Sequence, residues 1–253
     1  MNVLAVIPAR WASSRFPGKP VVPLLGLPMI VHVWRRAMRA KRVDGCVLAT
    51  DDDRIAKVGE NFGMEVVMTS ADCLTGTDRV AEVAGKVEAA VYVNVQGDEP
   101  LLEPEGIDKV VEAHLGFVEL GIGVTNAYVP ESALPFADDA VHAFLTRTVD
   151  GRVLGLSRHP IPYHFHQETE RNSHVGMYAF SRERVMQFPE LSQGPIELAE
   201  GIEMMRYMEH NIAMGCVAIG AGSKTVDNPE DVAAVEKIMR AAGMAEDNIH
   251  EWE

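Results

Sequence analysis

The sequence predicts an α/β fold built on a mostly parallel sheet, with a mixed or antiparallel extension in the middle of the chain. Apolar runs rich in Val and Ile alternate with segments of helical period, and regular crossover helices are missing between about residues 120 and 180. With 253 residues, 47% of them hydrophobic, the chain can build one large domain. We therefore expect residues 1–253 to form a single domain that carries residues 120–180 as a strand-rich extension.

The first part of the chain contains four predicted strands that alternate with helices. The strands are expected at 3–7, Gly45–Thr50, 64–69 and 90–95, and the helices are expected to begin near residues 28, 51 and 77. Gly63 is suited to end the second helix because glycine adopts the left-handed cap without strain. A βαβ pattern of this kind predicts parallel pairing, with the carboxyl ends of the strands at one edge of the sheet.

The later part of the chain shows a different pattern. Strands are expected at 122–129, 143–149, Val153–Ser157 and 174–180, and Asp150-Gly151 between two of them is a hairpin signal. The α/β pattern then returns with a helix at 196–210, a strand at 216–219 and a final helix. Asn228 is expected to cap that helix and Pro229 to occupy its first position.

The charges are unevenly distributed. Residues 1–43 carry eight Lys or Arg and no acidic residue, whereas the remainder carries 15 basic and 37 acidic side chains. The basic loop at 7–20 (IPARWASSRFPGKP) follows the first strand, where phosphorylated ligands bind in open α/β sheets. We expect Arg10, Arg15 and Lys19 to surround a polyphosphate there, the alternative being solvated surface charge. One basic loop on an acidic chain indicates a small anionic ligand, since nucleic acid needs a broad basic face.

Composition also bears on location and on cysteine chemistry. No apolar stretch approaches the ~20 residues of a membrane span, and Arg10 follows the first strand too soon for a signal peptide. We therefore expect a cytoplasmic protein without membrane association. Cys46, Cys73 and Cys216 lie far apart without CxxC spacing, which argues against a disulfide framework or a zinc site.

Two aspartates are candidate metal ligands. Asp98 follows the fourth strand and is expected at the carboxyl edge of the sheet, across a crevice from the basic loop, and Gly97 would let the backbone approach a nucleotide. Asp227 precedes the last helix. Mg²⁺ is typically held by one or two carboxylates together with substrate phosphates, so these acids and the basic loop suit nucleotidyl transfer. The alternatives are a plain Gly-Asp-Glu-Pro turn and a helix-capping acid.

Two other clusters are less convincing as metal sites. The run Asp51-Asp52-Asp53 is better explained as acids that complement the N-terminus of a helix. The spacing of His159, His164 and His166 fits no standard zinc pattern.

Several motifs taken together are similar to those of a known family. They are IPARWASSRFPGKP, ATDDDRI, TGTDRVAEV, VNVQGDEP, LSRHPIPY, HVGMYAF, PIELAEGIEMMR and VDNPEDV. In this order they closely resemble the 3-deoxy-manno-octulosonate (Kdo) cytidylyltransferases. The resemblance implies a nucleotide-diphospho-sugar transferase-like fold, CTP and Mg²⁺ as reactants, a homodimer, and CMP-sugar and pyrophosphate as products. It also implies that the strand-rich extension serves sugar binding and dimerisation.

The same resemblance implies roles for individual residues. Residues implied in catalysis by charge stabilisation are Arg10, Arg15, Lys19 and Asp98. The implied nucleotide pocket consists of Pro8, Ala9, Arg10, Lys19, Thr75, Gly76, Arg79, Gln96, Gly97 and Asp98. The implied acceptor site consists of Gln96, Arg158, His174, Tyr178, Glu200 and Glu203, and the implied metal ligands are Asp98 and Asp227. Glu200 and Glu203, three residues apart on a predicted helix, have the alternative of forming its solvent face.

The chain departs from the family pattern at two positions. Met204 stands where the family carries a glutamine that faces the sugar, and His142 stands where it carries a lysine. An unmatched hydroxyl or amide in a sugar site costs about 1–3 kcal/mol. We therefore expect Kdo to bind more weakly than in a typical relative.

Three functions follow from this pattern. The first is cytidylyl transfer from CTP to Kdo or a close relative, for lipopolysaccharide or capsule. The second keeps the CTP chemistry with a different acceptor, such as a modified Kdo, a nonulosonic acid or a phosphonic acid. The third is a catalytically silent nucleotide-binding protein, which is disfavoured because Lys19, Asp98 and Asp227 are all present.

Overall fold

The computed structural model describes residues 2–13, 15–134, 143–220 and 223–244. The strands are β1 Val3–Ala9, β2 Pro23–Leu24, β3 Leu27–Pro28, β4 Gly45–Thr50, β5 Glu65–Met68, β6 Val91–Asn94, β7 Val124–Pro130, β8 Phe144–Arg147, β9 Val153–Ser157, β10 Asn172–Ser181 and β11 Gly215–Ala218. The helices are α1 Met29–Ala37, α2 Asp53–Asn61, α3 Gly76–Lys86, α4 Pro104–Glu119, α5 Arg182–Gln187, α6 Pro195–Glu200, α7 Met205–Glu209 and α8 Asp231–Ala241. Every helix in the described ranges is too short or too polar to cross a bilayer.

The main sheet has the path β11-β7-β10-β6-β1-β4-β5. β1 pairs in parallel with β4 and β6, and β4 pairs in parallel with β5. β10 runs antiparallel to both β6 and β7, while β11 pairs in parallel with β7. The mostly parallel sheet with a mixed part later in the chain is therefore confirmed.

Adjacent parallel strands bring the two main motifs to one edge. All four residues of β6 are buried, as are Val6 and Ile7 of β1, so these apolar segments form the centre of the sheet. The Val95 N–H donates to the Val6 carbonyl at 2.9 Å, which keeps the strands paired up to their carboxyl ends. The basic loop after β1 and the QGDEP segment after β6 consequently leave the sheet side by side.

Within residues 120–180, β7 and β10 belong to the main sheet, and β8 and β9 form a hairpin joined to β10. β8 and β9 pair antiparallel through a turn in which Gly151 has φ +84°, and β8 continues onto β10. The hairpin signal at Asp150-Gly151 is thus confirmed. In β10 the pairing with β7 shifts between His174 and Tyr178, which produces a bulge. Bulges redirect side chains and are common beside active sites.

The helix predicted at 196–210 is wrong as a single element. Gly201 adopts φ +63° and ends α6 in a left-handed cap, with its N–H donating to the Glu197 carbonyl at 2.8 Å. A turn then separates α6 from α7. The chain therefore changes direction between Glu200 and Met205, and the two segments do not share one helical face.

The final helix begins later than expected. α8 is preceded by Glu230 at the N-cap position, so the prediction of Asn228 as cap and Pro229 as first residue is wrong. The physical reason is a local turn: the Asp231 carboxylate accepts from the N–H groups of both Asp227 and Asn228 at 2.9 Å. Val226, fully buried against Val235 and Met239 of α8, anchors the segment that carries Asp227.

Candidate active site

Two adjoining cavities open at the carboxyl edge of the sheet. The smaller has a volume of about 250 Å³, and every residue of the implied nucleotide pocket lines it. The larger has a volume of about 840 Å³ and is lined by Gln96, Arg158, His174, Tyr178 and Glu203 of the implied acceptor site. The residues shared by both cavities are Arg15, Thr75, Gly76, Gln96 and Asp98. The structure thus places Gln96 and Asp98 at the boundary between two spaces of different size.

A cluster of opposite charges occupies this boundary. The Lys19 ammonium lies 2.6 Å from Asp98 Oδ2 and 3.8 Å from Asp227 Oδ1, and the Arg15 guanidinium lies 2.8 Å from Asp227 Oδ1. Residues more than 200 positions apart in the chain are joined here. The Val226 N–H donates to the Asp98 carbonyl at 3.0 Å, so a backbone bond keeps the two acidic segments together.

The basic loop is fixed by packing around Trp11. The Arg54 guanidinium stacks on the Trp11 ring at 3.4 Å, and the Gly18 N–H donates to the Trp11 carbonyl at 3.0 Å. Gly18 has φ +74°, and a Cβ there would lie 3.0 Å from the Trp11 ring. This turn starts a short 3₁₀ segment at Lys19 and sets the direction of the lysine side chain. Arg10 is exposed at the end of β1.

Gly97 packs closely against the end of β1. A Cβ at this position would lie 3.0 Å from the Pro8 carbonyl and 3.1 Å from Ile30. The missing side chain therefore allows the QGDEP segment to pack against the end of β1. Gly97 also lines the smaller cavity, so its role in the approach of a nucleotide stays a prediction.

Arg79 lines the smaller cavity, but its guanidinium is held by the protein. It is 3% exposed, bonds to the Thr69 hydroxyl, donates to the Ser70 carbonyl at 3.3 Å and pairs with Asp51 at 3.2 Å. Asp51 is thus a partner of Arg79, while Asp52 caps α2 through the Arg54 N–H. The helix-terminus explanation of the aspartate run therefore holds for Asp52, whereas Asp51 is the ion-pair partner of Arg79.

The larger cavity contains a pair of ring side chains, of which Tyr178 is buried and His174 half-buried. The Tyr178 hydroxyl and His174 Nε2 are 3.2 Å apart across the bulge of β10. Burial, followed by the nearby Arg158 cation, lowers the pKa of His174 to about 4, so the imidazole is neutral near pH 7. Burial also raises the pKa of Tyr178. Gln96 packs over Gly176, where a Cβ would lie 3.0 Å from its side chain.

The two glutamates implied for the acceptor have different positions. Glu203 lines the cavity, and its Oε2 accepts from the Thr77 N–H at the start of α3 at 3.1 Å. Burial raises the pKa of Glu203. Glu200 is not among the residues that line either cavity. Its carboxylate accepts from the Ser157 hydroxyl at 3.0 Å and from the Arg158 N–H at 2.7 Å, which makes it a support for Arg158. Neither glutamate simply forms a solvent face.

Met204 does not face the acceptor cavity. It is fully buried in the core cluster that contains Phe180, Phe188 and Tyr207. The expectation of a thioether in contact with the sugar is therefore wrong. The break at Gly201 explains the error, because it places Glu203 on the cavity side and turns Met204 inward. His142, the other departure, lies outside the described residues.

Sequence reasoning missed several charged groups at the site. Glu99 is 8% exposed beside Asp98 and accepts from the Ser223 hydroxyl at 2.9 Å. Burial and the Asp98 charge raise the pKa of Glu99 to about 7. Arg206 is fully buried and makes a two-pronged bond to Glu197 at 2.9 and 2.7 Å and a third to Asp78 at 3.0 Å. Both residues stand within quoted motifs, but their burial was not visible in the pattern.

The donor set at the cavity boundary fits Mg²⁺. Asp98 and Asp227 present hard carboxylate oxygens that approach one ammonium group. Among the described residues, no three His, Cys, Asp or Glu side chains are grouped so that they could hold a metal ion by themselves. Magnesium prefers oxygen ligands and usually takes one or two carboxylates plus substrate phosphates. Two carboxylates beside a basic loop meet that description.

The similarity of this chain to known proteins identifies it as a nucleotidyltransferase. A family model described as cytidylyltransferase matches residues 4–215. The chain is 42% identical to the 3-deoxy-manno-octulosonate cytidylyltransferase of Myxococcus xanthus, covering 96% of this chain and 98% of that one. It is 39% identical to the 8-amino-3,8-dideoxy-manno-octulosonate cytidylyltransferase of Shewanella piezotolerans, covering 93% and 98%.

A solved structure gives the same assignment. The CMP:2-keto-3-deoxy-manno-octonic acid synthetase in complex with CTP superimposes with a TM-score of 0.87 at 32% identity, covering 96% of this chain and 100% of that one. The chain belongs to the cytidylyltransferase family, among the 3-deoxy-manno-octulosonate cytidylyltransferases.

Proposed function

We propose that the protein catalyses Mg²⁺-dependent transfer of CMP from CTP to Kdo or a close modified relative, with release of pyrophosphate. The observation that carries the proposal is Asp98, which lines both cavities and bonds to Lys19 at 2.6 Å. A small basic cavity beside a larger one that combines the Arg158 cation with neutral and acidic groups suits a nucleotide next to a sugar acid. The product would supply lipopolysaccharide or capsule synthesis.

The residues of the smaller cavity would bind the triphosphate. Arg10, Arg15 and Lys19 would neutralise its charge, and cations placed where charge grows on the leaving pyrophosphate stabilise the transition state more than the ground state. Asp98 and Asp227 would hold Mg²⁺, which supplies polarisation of the α-phosphate. The anomeric hydroxyl oxygen would attack the α-phosphorus while the bond from the α-phosphorus to the bridging oxygen breaks, so that pyrophosphate leaves and the hydroxyl proton passes to solvent. This single displacement needs no covalent enzyme intermediate.

The residues of the larger cavity would orient the acceptor. Arg158 is a cation suited to a carboxylate. The Glu200 carboxylate accepts from the Arg158 backbone N–H, and the Glu200 carbonyl accepts from the Arg158 side chain at 3.1 Å. Neutral His174 and Tyr178 can each donate or accept a hydrogen bond with a sugar hydroxyl. Glu203 can accept from hydroxyls or, in an amino-modified Kdo, from an ammonium group. The Glu203 carboxylate therefore suits both Kdo and 8-amino-3,8-dideoxy-manno-octulosonate, the acceptors that the relatives' names contain.

We also propose that the protein acts as a homodimer through its strand-rich extension. In this part of the chain Tyr163 and Phe165 are 80% and 77% exposed, and large apolar side chains grouped at a surface mark interaction sites. Light scattering should give twice the monomer mass. A Tyr163→Glu and Phe165→Glu double variant should give monomers, whereas a dimer that survives both changes would place the interface elsewhere.

The proposed activity is tested by pyrophosphate release. CTP is compared with UTP, TTP and ATP, each with Kdo, 8-amino-Kdo, a nonulosonic acid and a phosphonic acid as acceptors. We expect release with CTP and one of the two octulosonates, dependent on Mg²⁺. Release only with a nonulosonic or phosphonic acid would replace the acceptor. CTP binding without release for any acceptor would favour the silent nucleotide-binding protein.

A further inference from the structure

The groups proposed to bind triphosphate and the groups proposed to bind metal are paired with one another. Lys19 bonds to Asp98 at 2.6 Å and lies 3.8 Å from Asp227. Arg15 bonds to Asp227 at 2.8 Å. If phosphates take the cations and a metal takes the carboxylates, these ion pairs must be exchanged when both ligands bind.

We propose that Lys19 has a second role in the nucleotide-free protein: it holds Asp98 and Asp227 together in place of the divalent cation. The triphosphate then draws the ammonium away and opens the carboxylates to metal. This inference rests on the proposed function, because it assumes that these two carboxylates are the metal ligands. Lys19 and the metal then compete for the two carboxylates, whereas the nucleotide and the metal each strengthen the binding of the other.

Burial singles out Lys19 rather than Arg15. The Lys19 side chain is 13% exposed, whereas that of Arg15 is 62% exposed. An exposed ion pair is screened by water and salt and contributes little, but a sheltered pair retains more of its Coulomb energy. A lysine ammonium is also a compact charge on a flexible stem, which suits movement from a carboxylate to a nearby phosphate.

The carboxylates are anchored independently of Lys19. The Val226 N–H to Asp98 carbonyl bond and the full burial of Val226 fix the two segments. The Asp227 carboxylate also accepts from the Thr225 hydroxyl at 3.1 Å, and the Asp227 N–H donates to Asp231. Removal of the Lys19 ammonium should therefore leave two neighbouring carboxylates in place without their internal cation.

The reciprocal effect follows from thermodynamic linkage. If CTP withdraws the competing ammonium, metal affinity rises by some factor in the presence of CTP, and CTP affinity rises by the same factor in the presence of metal. A protein that lacks Lys19 has no ammonium to withdraw. The contribution of CTP to metal binding should then be reduced to the direct contacts between phosphate and metal.

The test measures Mn²⁺ binding to the whole chain by electron paramagnetic resonance, without nucleotide and with CTP. Lys19→Met should bind Mn²⁺ at least about tenfold more tightly than wild type when nucleotide is absent. Lys19→Arg keeps the positive charge and should bind Mn²⁺ as weakly as wild type. Lys86→Met is the control for loss of a lysine charge, since Lys86 pairs with Glu82 at 3.5 Å and lies outside the lining of both cavities. Its loss should change Mn²⁺ affinity little.

The outcomes separate this inference from the proposed function. Asp98→Asn should weaken Mn²⁺ binding in both the wild-type and the Lys19→Met background. If it does so while Lys19→Met binds Mn²⁺ no more tightly than wild type, the second role of Lys19 is wrong and the metal site stands. If Asp98→Asn leaves Mn²⁺ binding unchanged in every background, the metal site itself is wrong and the inference is overturned with it. Circular dichroism confirms that each variant is folded.

Discussion

The two cavities use charge in opposite ways. In the smaller one, Lys19 and Arg15 pair with carboxylates at a solvent-accessible boundary, and in the proposed function ligands would exchange these pairs. Around the larger one, Arg206 is 2% exposed and is bonded to Glu197 and Asp78. Those charges are almost entirely shielded from solvent and link α3, α6 and α7. We propose that the side of the smaller cavity, which would bind the nucleotide, is built for exchange, and that the side of the larger cavity, which would bind the acceptor, is built for rigidity.

The difference between the charges of the two cavities is expected to have its largest effect at Arg206. Arg206→Met would leave the Glu197 and Asp78 carboxylates buried without their cation, so we expect the free energy of unfolding to fall by about 3–5 kcal/mol. Arg152→Met is the control, because Arg152 and its partner Asp150 are 52% and 61% exposed, and its cost should stay below about 1 kcal/mol. Urea denaturation measures both. Equal losses for the two variants would show that burial does not distinguish the network.

Asp98 should give the reverse result, with activity lost and stability kept. Asp98→Asn removes one charge at the boundary of the cavities, so turnover should fall at least about a hundredfold. Stability should change little, because the Asp98 side chain is 28% exposed. Asp108→Asn, at an acid that accepts the Arg42 N–H, is the control for an aspartate change outside the cavities. Near-wild-type pyrophosphate release by Asp98→Asn would remove this carboxylate from the mechanism.

The smaller cavity is the part of the site that the sequence predicts well. Asp98 lies four residues after β6, and Lys19 lies in the basic loop that follows β1, so strand periodicity and parallel pairing are enough to place their segments at one edge. No long-range contact is needed for that inference. Asp227 is harder, but its segment precedes a recognisable helix and falls in a family motif.

The acceptor side depends on features that periodicity does not reveal. The bulge in β10 sets the positions of His174 and Tyr178, and the left-handed Gly201 splits a segment that looks like one helix. Because the helix is interrupted, Glu203 faces the larger cavity and Met204 faces the apolar core. The burial of Glu99 and Arg206 is also a tertiary property, because each is enclosed by residues from distant parts of the chain.

A substitution of Met204 tests whether this side chain belongs to the apolar core or contacts the acceptor. Met204→Gln would place an amide in an apolar cluster where the methionine is fully buried, and a buried amide without partners costs about 1–3 kcal/mol. We expect a lower urea midpoint and no improvement of kcat/KM for Kdo. Met204→Leu, of similar volume, should cost less. An increase in kcat/KM for Kdo in Met204→Gln would show that this side chain reaches the acceptor after all.

The last comparison concerns protonation of His174, which should change stability at acid pH and leave catalysis near neutral pH unchanged. Because its pKa in the folded protein is about 4, below the value of 6.5 expected when exposed, the folded state favours neutral imidazole. The stabilisation linked to this histidine is fully present above pH 6.5 and is lost as the pH falls toward 4. Wild type should therefore lose more unfolding free energy than His174→Gln between pH 7 and pH 4.5.

Catalysis should show no such change near neutral pH. The profiles of kcat/KM for the acceptor should be parallel in wild type and His174→Gln from about pH 5.5 to 8, because the imidazole stays neutral throughout. The glutamine retains a donor and an acceptor for the Tyr178 hydroxyl, so the comparison isolates protonation from hydrogen bonding. A wild-type inflection near pH 6.5 that disappears in His174→Gln would mean that the imidazole gains a proton in the working enzyme. The acceptor side would then use exchangeable charge, as the nucleotide side does.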